Sequence, residues 1–464
     1  MTTLPADMGT SIDWDRYFDA LARDLGGTLL SARPQVRNSG GRTSFFVDIE
    51  VGGDVRRLYV RAGRDMAPAA AAYRDLQKEK TVMDWLAARD VPVARAVHLS
   101  KEPVALAMEA IAGEDDFERV NTTPDGEAIL SHYIEILADM HRHEVSELSA
   151  AGFRTPSGDT EIALHHFQDF AVAIYRMSGT PPNPLCHWGA DWMTRHAPRG
   201  SGRVSLIQGD TGPGNFVYVG QRVQALVDWE LAHLGDPMED LGVLRLRDVW
   251  TPFPGGFRKY LDEYQTRSGT EINDAAIRWY SIKLCIVHPH VLAIPVYHPA
   301  VSTTPAEWVA EYYSLSRLGL EEIGAQMGIT LEKPELPAAR MTLQSHYHDV
   351  LTTALRDEVI AHIGDDYHRY RAEQAWRVAQ YLRGADRYLD AIHEMEMDEI
   401  GTITAQRARD HGEAIAQLHR YVEQATPEAD EPLLRFFYRQ QYRMEALMPG
   451  AIGRSEGRSF TPLD

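Results

Sequence analysis

The sequence predicts an α+β protein in two lobes, a small β-rich N-terminal lobe and a mainly helical second lobe, followed by an additional all-helical C-terminal domain. Three observations predict it. β-rich runs crowd into the segment from Thr28 to Glu109, where one helical stretch interrupts them. From there to Gly328 helical periodicity dominates and gives way only around three short apolar runs between Val204 and Val227. Beyond the linker EKPELPAA, with its two prolines and two glutamates, the text turns to long helices. A chain of 464 residues, 44% hydrophobic and 25% charged, has the size and composition for about three such parts. Their boundaries read as 1–113, 114–330 and 335–464.

In the first part, Ser44 to Val51 and Val55 to Arg61 are β-rich runs joined by Gly52-Gly53-Asp54, the turn chemistry of a hairpin. The stretch AAAAYRDLQKEKTVMDWLAARDV then places Leu76, Val82, Met83 and Leu86 at roughly helical spacing and stops before Pro92. VALAMEAIAG reads as a strand running into a turn at Gly113. In the second part, Ile129, Tyr133, Ile136, Leu137 and Met140 line one face of a helix, which makes that face core. Higher proline and glycine density between Gly152 and Gly202 predicts a helix, a loop and another helix. Short β-runs follow at Val204 to Ile207, Phe216 to Val219 and Val223 to Val227. Tyr280 to Tyr297 is the most apolar stretch, yet Lys283, His288, Pro289, His290 and Pro295 interrupt the ~20 residues a membrane span requires. It reads as a buried helix followed by a loop. In the third part, Trp376, Ala379, Leu382, Tyr388, Leu389 and Ile392, and later Ile415, Leu418 and Val422, approximate helical spacing. Those faces need a partner surface, so the helical domain is expected to pack on the helical lobe or to build a homo-oligomer.

Charge and composition exclude several classes. With Lys+Arg 47 against Asp+Glu 67, the net charge of -20 argues against nucleic acid or an anionic membrane as a partner. Two cysteines, Cys186 and Cys285, with no Cys-x-x-Cys, give neither a disulfide framework nor a thiolate metal knuckle. The N-terminus carries acidic residues where a signal peptide would be basic, and no apolar core follows. A cytoplasmic protein with no membrane attachment is expected. His141 and His143, His288 and His290, and His346 and His348 all lack the i, i+4 spacing that sets two ligands on one helical face, so no zinc site is expected from them. Neither a Gly-x-Ser-x-Gly elbow nor a P-loop occurs.

The chemistry concentrates in Gln208-Gly209-Asp210-Thr211-Gly212-Pro213-Gly214-Asn215, where an aspartate and an asparagine stand five positions apart in a glycine-rich loop after a strand. A third group, Asp228, ends another short strand in Leu226-Val227-Asp228-Trp229-Glu230. Phosphoryl transfer needs this set: one carboxylate to orient and deprotonate an acceptor hydroxyl, and an amide oxygen with a second carboxylate to hold Mg²⁺ on nucleotide phosphates. The Asp-x4-Asn spacing is that of a kinase catalytic loop, and Asp228 stands where the metal-binding aspartate follows on the next hairpin. Asp210 is thus the candidate base, with Asn215 and Asp228 the candidate metal ligands. A lone aspartate in such a loop would be turn chemistry; the ordered set is not.

On these residues the core from about Gly26 to Gly328 resembles the aminoglycoside phosphotransferase-like (choline-kinase-like) family, and most closely its branch found alone in bacteria or joined to acyl-CoA dehydrogenases. Gly209-Asp210 through Asn215-Phe216 is similar to that family's catalytic loop, and Val227-Asp228-Trp229-Glu230-Leu231-Ala232, Gly235-Asp236-Pro237 and Asp240-Leu241 to its metal-binding segment. Two departures stand out: Gln208 replaces the usual histidine, and Arg61 the commoner phosphate-binding lysine. The resemblance implies a bilobal protein-kinase-like fold and an ATP- and Mg²⁺-dependent O-phosphotransferase acting on a small-molecule hydroxyl. It favours a hydroxyacyl-CoA or other catabolic alcohol as acceptor; the alternatives are an antibiotic (aminoglycoside or macrolide) kinase and a catalytically silent nucleotide- or ligand-binding module. In the nucleotide lobe it implies Arg61 as the phosphate clamp ordered by Glu79. Gly40 to Ser44, with Gly41 and Arg42, would fold over the phosphates, and Met108 to Gly113, with Met108 and Ala110, would form the hinge against adenine. Glu230 is expected to face the metal region and Asp236 to brace the loop. The residues beyond 335 resemble a helical domain of unknown function that accompanies kinases of this branch.

Overall fold

The computed structural model describes residues 12–36, 43–63, 69–158, 160–299, 304–448 and 457–463. Along the chain come α1 (Trp14–Asp24), β1 (Thr28–Pro34), β2 (Ser44–Val51), β3 (Asp54–Ala62), α2 (Ala69–Ala87), β4 (Ala96–Lys101) and β5 (Val104–Glu109). Next are α3 (Pro124–Arg142), α4 (Ser146–Ala150), α5 (Glu161–His166), α6 (Ala173–Met177) and α7 (Pro184–Arg195), α5 and α6 being joined by a π-helical turn. Four short strands follow, β6 (Ser205–Ile207), β7 (Phe216–Val219), β8 (Arg222–Leu226) and β9 (His233–Gly235). Helices complete the chain: α8 (Met238–Trp250), α9 (Phe257–Ser268), α10 (Asp274–Tyr297), α11 (Pro305–Met327), α12 (Leu343–Ala354), α13 (Asp366–Thr404), α14 (His411–Val422) and α15 (Asp430–Glu445). This is the α+β arrangement the sequence predicts, with a β-rich start and a helical remainder. The chain divides into two compact units, one of residues up to Ser157, Ser201–Asn273 and Leu463, the other of Gly158–Gly200 and Asp274–Pro462.

In the first unit, an antiparallel sheet runs in the order β1-β2-β3-β5-β4. Gly52 and Gly53 have φ of 62° and 96°, the pair of positive values that closes a two-residue hairpin with the twist of its strands. One face of the sheet is covered by α1, an element absent from the sequence expectations. Asp13 caps it by accepting from the Arg16 amide, and Trp14, Tyr17, Phe18 and Leu21 recur at helical spacing. These pack on Phe45, Val47, Ile49, Leu58 and Val60, all fully buried. Each such side chain contributes about 1.5–3 kcal/mol relative to exposure. The buried face of α3 contains Ile129, Tyr133, Ile136, Leu137 and Met140, the stripe its periodicity marks out. After β5, Glu114 pairs with Tyr218 of β7, and a side chain at Gly113 would meet the Tyr218 carbonyl at 2.5 Å, so the crossing requires glycine.

The second unit corrects one expectation. The apolar stretch does not end in a loop: α10 continues through Pro289 and Pro295 to Tyr297. Pro289 has no N–H to give the Cys285 carbonyl one turn back, and α11 packing along the helix carries it through the two prolines. That packing is close because Gly319 of α11 faces Cys285, where an added methyl would lie 2.8 Å from its Cβ. Among the described residues no helix is long and apolar enough to cross a membrane. In the same unit α7 meets the C-terminal helices. Asp430 at the start of α15 accepts from Trp188 Nε1 at 3.0 Å and, through both oxygens, from the Arg195 guanidinium at 2.9 Å.

Candidate active site

The loop after β6 is built around a carboxylate that is not on it. β6 is buried along its whole length and pairs with β9. Gly209 turns the chain at a φ of 82°, where a Cβ would stand 2.9 Å from the Leu231 carbonyl oxygen. Beneath it Asp240, in the first turn of α8 and fully buried, accepts the Gln208 and Gly209 amides, both at 2.9 Å. It also bonds His141 Nε2 at 3.0 Å, while its own carbonyl accepts from Thr211 Oγ1 at 2.6 Å. Since a carboxylate accepts, the imidazole donates from Nε2 and turns Nδ1 to the Tyr264 hydroxyl, 2.8 Å away. A buried carboxylate satisfied on every side fixes the backbone it holds.

On that loop Asn215 Nδ2 donates to Asp210 twice, to Oδ2 at 2.7 Å and to its carbonyl at 2.6 Å. The five-residue spacing thus folds the two side chains onto each other. Arg247 Nη2 donates to the other carboxylate oxygen, Oδ1. The guanidinium of Arg247 stands 5.0 Å over the Trp250 ring. Sequence reasoning missed this arginine. A signal existed: Arg247 lies seven residues after Asp240 in a largely apolar helix, two turns on and on the same face.

Asp228 follows β8 with φ of 63°, left-handed backbone that costs about 1–3 kcal/mol for a residue other than glycine. Its approach is pinned by the hairpin: the Val227 amide donates to the Asn215 carbonyl at 3.0 Å, and Gln208 Nε2 to the Val227 carbonyl at 2.7 Å. Arg61, on β3, reaches Asp228 Oδ1 at 2.9 Å, Glu79 Oε2 of α2 at 3.3 Å and Glu230 Oε2 at 3.0 Å. Burial opposes its charge, but the carboxylates of Asp228, Glu79 and Glu230 outweigh that penalty and hold the guanidinium pKa well above its ordinary value. Asp236, fully buried, accepts the Ser201 amide at 2.8 Å and the Met238 amide at 2.9 Å, and burial raises its pKa against those bonds.

The structure therefore brings together Asp210 with Asn215, and Asp228 with Arg61, Glu79 and Glu230. Met108 lies in β5, in register with Tyr59 and Ala96, and the Ala110 amide donates to the Arg57 carbonyl at 3.0 Å. Gly41 and Arg42 lie outside the described residues. As donors for a cation, the Asp228 carboxylate and the Asn215 amide oxygen, the end of that amide not spent on Asp210, are hard oxygens of the kind Mg²⁺ takes.

A protein-family model described as the phosphotransferase enzyme family matches residues 36–280. Acyl-CoA dehydrogenase family member 11 of Homo sapiens is 26% identical over 125 residues, 26% of this chain and 16% of that protein. The Rattus norvegicus protein of the same name is 27% identical over 148 residues, 31% and 18% of the two lengths. The match thus spans less than a fifth of those relatives. A crystal structure from Ralstonia eutropha JMP134, provisionally designated an aminoglycoside phosphotransferase, is similar with a TM-score of 0.51 at 21% identity, covering 67% of this chain and 98% of the other. That likeness is one of fold.

Proposed function

The chain belongs to the phosphotransferase enzyme family, and from that premise we propose that it is an ATP- and Mg²⁺-dependent small-molecule kinase that phosphorylates the hydroxyl of a hydroxyacyl-CoA or related catabolic alcohol. The observation that carries the site assignment is the Asp210–Asn215 pair on a loop fixed from below by Asp240, with the Asn215 carbonyl bonded to the Val227 amide next to the Asp228–Arg61 pair.

In this reading Asp210 receives the acceptor's hydroxyl proton. The freed oxygen bonds to the γ-phosphorus, the bond from that phosphorus to the β–γ bridging oxygen breaks, and ADP leaves with that oxygen. Asn215, through Nδ2, and Arg247 orient the Asp210 carboxylate from either side. Arg61, ordered by Glu79, offers a rigid fork to the phosphates. Asn215 and Asp228 would hold Mg²⁺, whose bound charge neutralises that developing on the phosphates. Residues 1–113 would carry the nucleotide, 114–330 the chemistry and acceptor, and 335–464 a helical supporting domain.

The acceptor class rests on the relatives' names, which join this kind of segment to acyl-CoA oxidation. Both arginines of the site already face carboxylates, so the anionic end of a thioester must be met away from Asp210. The length of the pantetheine arm permits that. The test is ATP-coupled ADP release with 3- and 4-hydroxyacyl-CoAs, free secondary and tertiary alcohols, aminoglycosides and macrolides side by side. Turnover with hydroxyacyl or alcohol acceptors is expected; efficient turnover confined to an antibiotic would overturn the acceptor class while leaving the site assignment standing.

A further inference from the structure

We propose that His187, His419 and Glu423 form a Zn²⁺ site that clasps α14 onto α7 within the second unit. His419 lies in the last turn of α14 and Glu423 is the residue that ends it, an i, i+4 pair set on one face. His187 arrives from α7, whose first turn is fixed by Asn183 accepting the Leu185 and Cys186 amides. One nitrogen from each histidine and one oxygen of Glu423 all lie within 4.8 Å of one another.

These groups converge without satisfying each other. The imidazoles meet edge to face, centroids 5.4 Å apart at 69°, and His419 Nε2 stands 3.7 Å from Glu423 Oε1, beyond hydrogen-bond length. His419 Nδ1 is buried with no hydrogen-bond partner among the described residues. Zn²⁺ bonds imidazole nitrogen and carboxylate oxygen at about 2.0–2.2 Å, which puts tetrahedral ligand atoms about 3.3–3.6 Å apart. Small rotations of His187 and Glu423, both exposed, would close the difference. Two imidazoles and one carboxylate suit Zn²⁺ rather than Mg²⁺ or Ca²⁺, which take oxygen sets. The exposed side leaves a fourth position for water.

The histidine pairs adjacent in sequence lack this geometry; here the spacing is His-x3-Glu, completed by a histidine from a distant helix. The site sits on the same α7 that Asp430 grips through Trp188 and Arg195, so a bound ion would add a second fastening between α7 and the C-terminal helices.

The experiment uses the full chain without an affinity tag, stripped by chelator, titrated with ZnCl2 by calorimetry and with Co²⁺ by visible absorption. One ion per chain, tetrahedral Co²⁺ bands and a rise in Tm with Zn²⁺ are expected. Outer-shell changes alone cost ten- to a hundredfold in metal affinity, so His187→Ala and Glu423→Gln should each weaken binding at least about a hundredfold and abolish the Tm rise. Circular dichroism and apo Tm of both variants should match the parent, and turnover with ATP should be unchanged. Failure of the parent chain to take up one Zn²⁺, or wild-type affinity in both variants, would overturn the site.

Discussion

The loop from Gln208 to Asn215 and the strand end from Val227 to Glu230 are tied directly to each other, yet the carboxylates serving them are held in opposite ways. Asp240 beneath the loop is fully buried and spends both oxygens on backbone amides and His141. Asp228 on the strand end is one-third exposed, sits at positive φ and pairs with Arg61. Backbone amides bound to a buried carboxylate have no alternative partner, whereas a guanidinium shared among three carboxylates can give one up when phosphates arrive. The contrast separates two tasks. Asp240 fixes where Asp210 points, and Asp228 is kept available.

If that division holds, the largest effect comes from the group the rigid loop presents. Asp210→Asn should lower turnover by about 10²–10⁴-fold with nucleotide affinity largely intact, because it removes the proton acceptor and no metal ligand. Asp228→Ala should weaken Mg-nucleotide binding as well. Near wild-type turnover of Asp210→Asn at saturating acceptor would remove Asp210 from its role.

Next in size is the hidden support. Asp240→Ala would strand the Gln208 and Gly209 amides and the His141 ring in a dry interior. About 3–5 kcal/mol of stability should be lost, read from urea denaturation. A loss under about 1 kcal/mol would mean that the loop is held by other contacts.

Arg61→Lys tests the open side. A point charge cannot span Glu79, Asp228 and Glu230 as the planar fork does. Charge is kept, so nucleotide KM should rise by about tenfold, about 1.4 kcal/mol, with kcat little changed. A collapse of kcat would show the fork to act in the chemical step.

Much of this was legible before the structure. The Asp-x4-Asn spacing marked two side chains that meet at 2.7 Å, and the hairpin chemistry of Gly52-Gly53-Asp54 fixed the register that delivers Arg61 to Glu79. Such signals are local, written within a few residues. Arg247 escaped because its one signal, the seven-residue spacing from Asp240, ties it to the support beneath the loop and not to Asp210, which only the fold brings within its reach. α1 escaped for another reason: its aromatic stripe reads as core only once the sheet it covers is in place. The run of α10 through two prolines escaped because the packing of α11 outweighs a local breaker.

The smallest expected effect falls on the residue that joins the two regions. Gln208 opens the loop, and its Nε2 donates across to the Val227 carbonyl, one residue before Asp228. Its Oε1 is buried without a partner among the described residues. The amide thus performs the tie and leaves an unsatisfied acceptor behind, a burden of about 1–3 kcal/mol. An imidazole can donate the same bond, but its second ring nitrogen is then the buried acceptor in place of Oε1. Gln208→His keeps the donor and should therefore leave turnover within about threefold and stability within about 1 kcal/mol of the parent. Gln208→Leu removes the donor, orphans the Val227 carbonyl and frees the strand end. It should lower Tm and weaken Mg-nucleotide binding together. Equal behaviour of the two variants would show that the tie between loop and strand end contributes nothing, and that Asp228 is positioned by Arg61 and its own backbone alone.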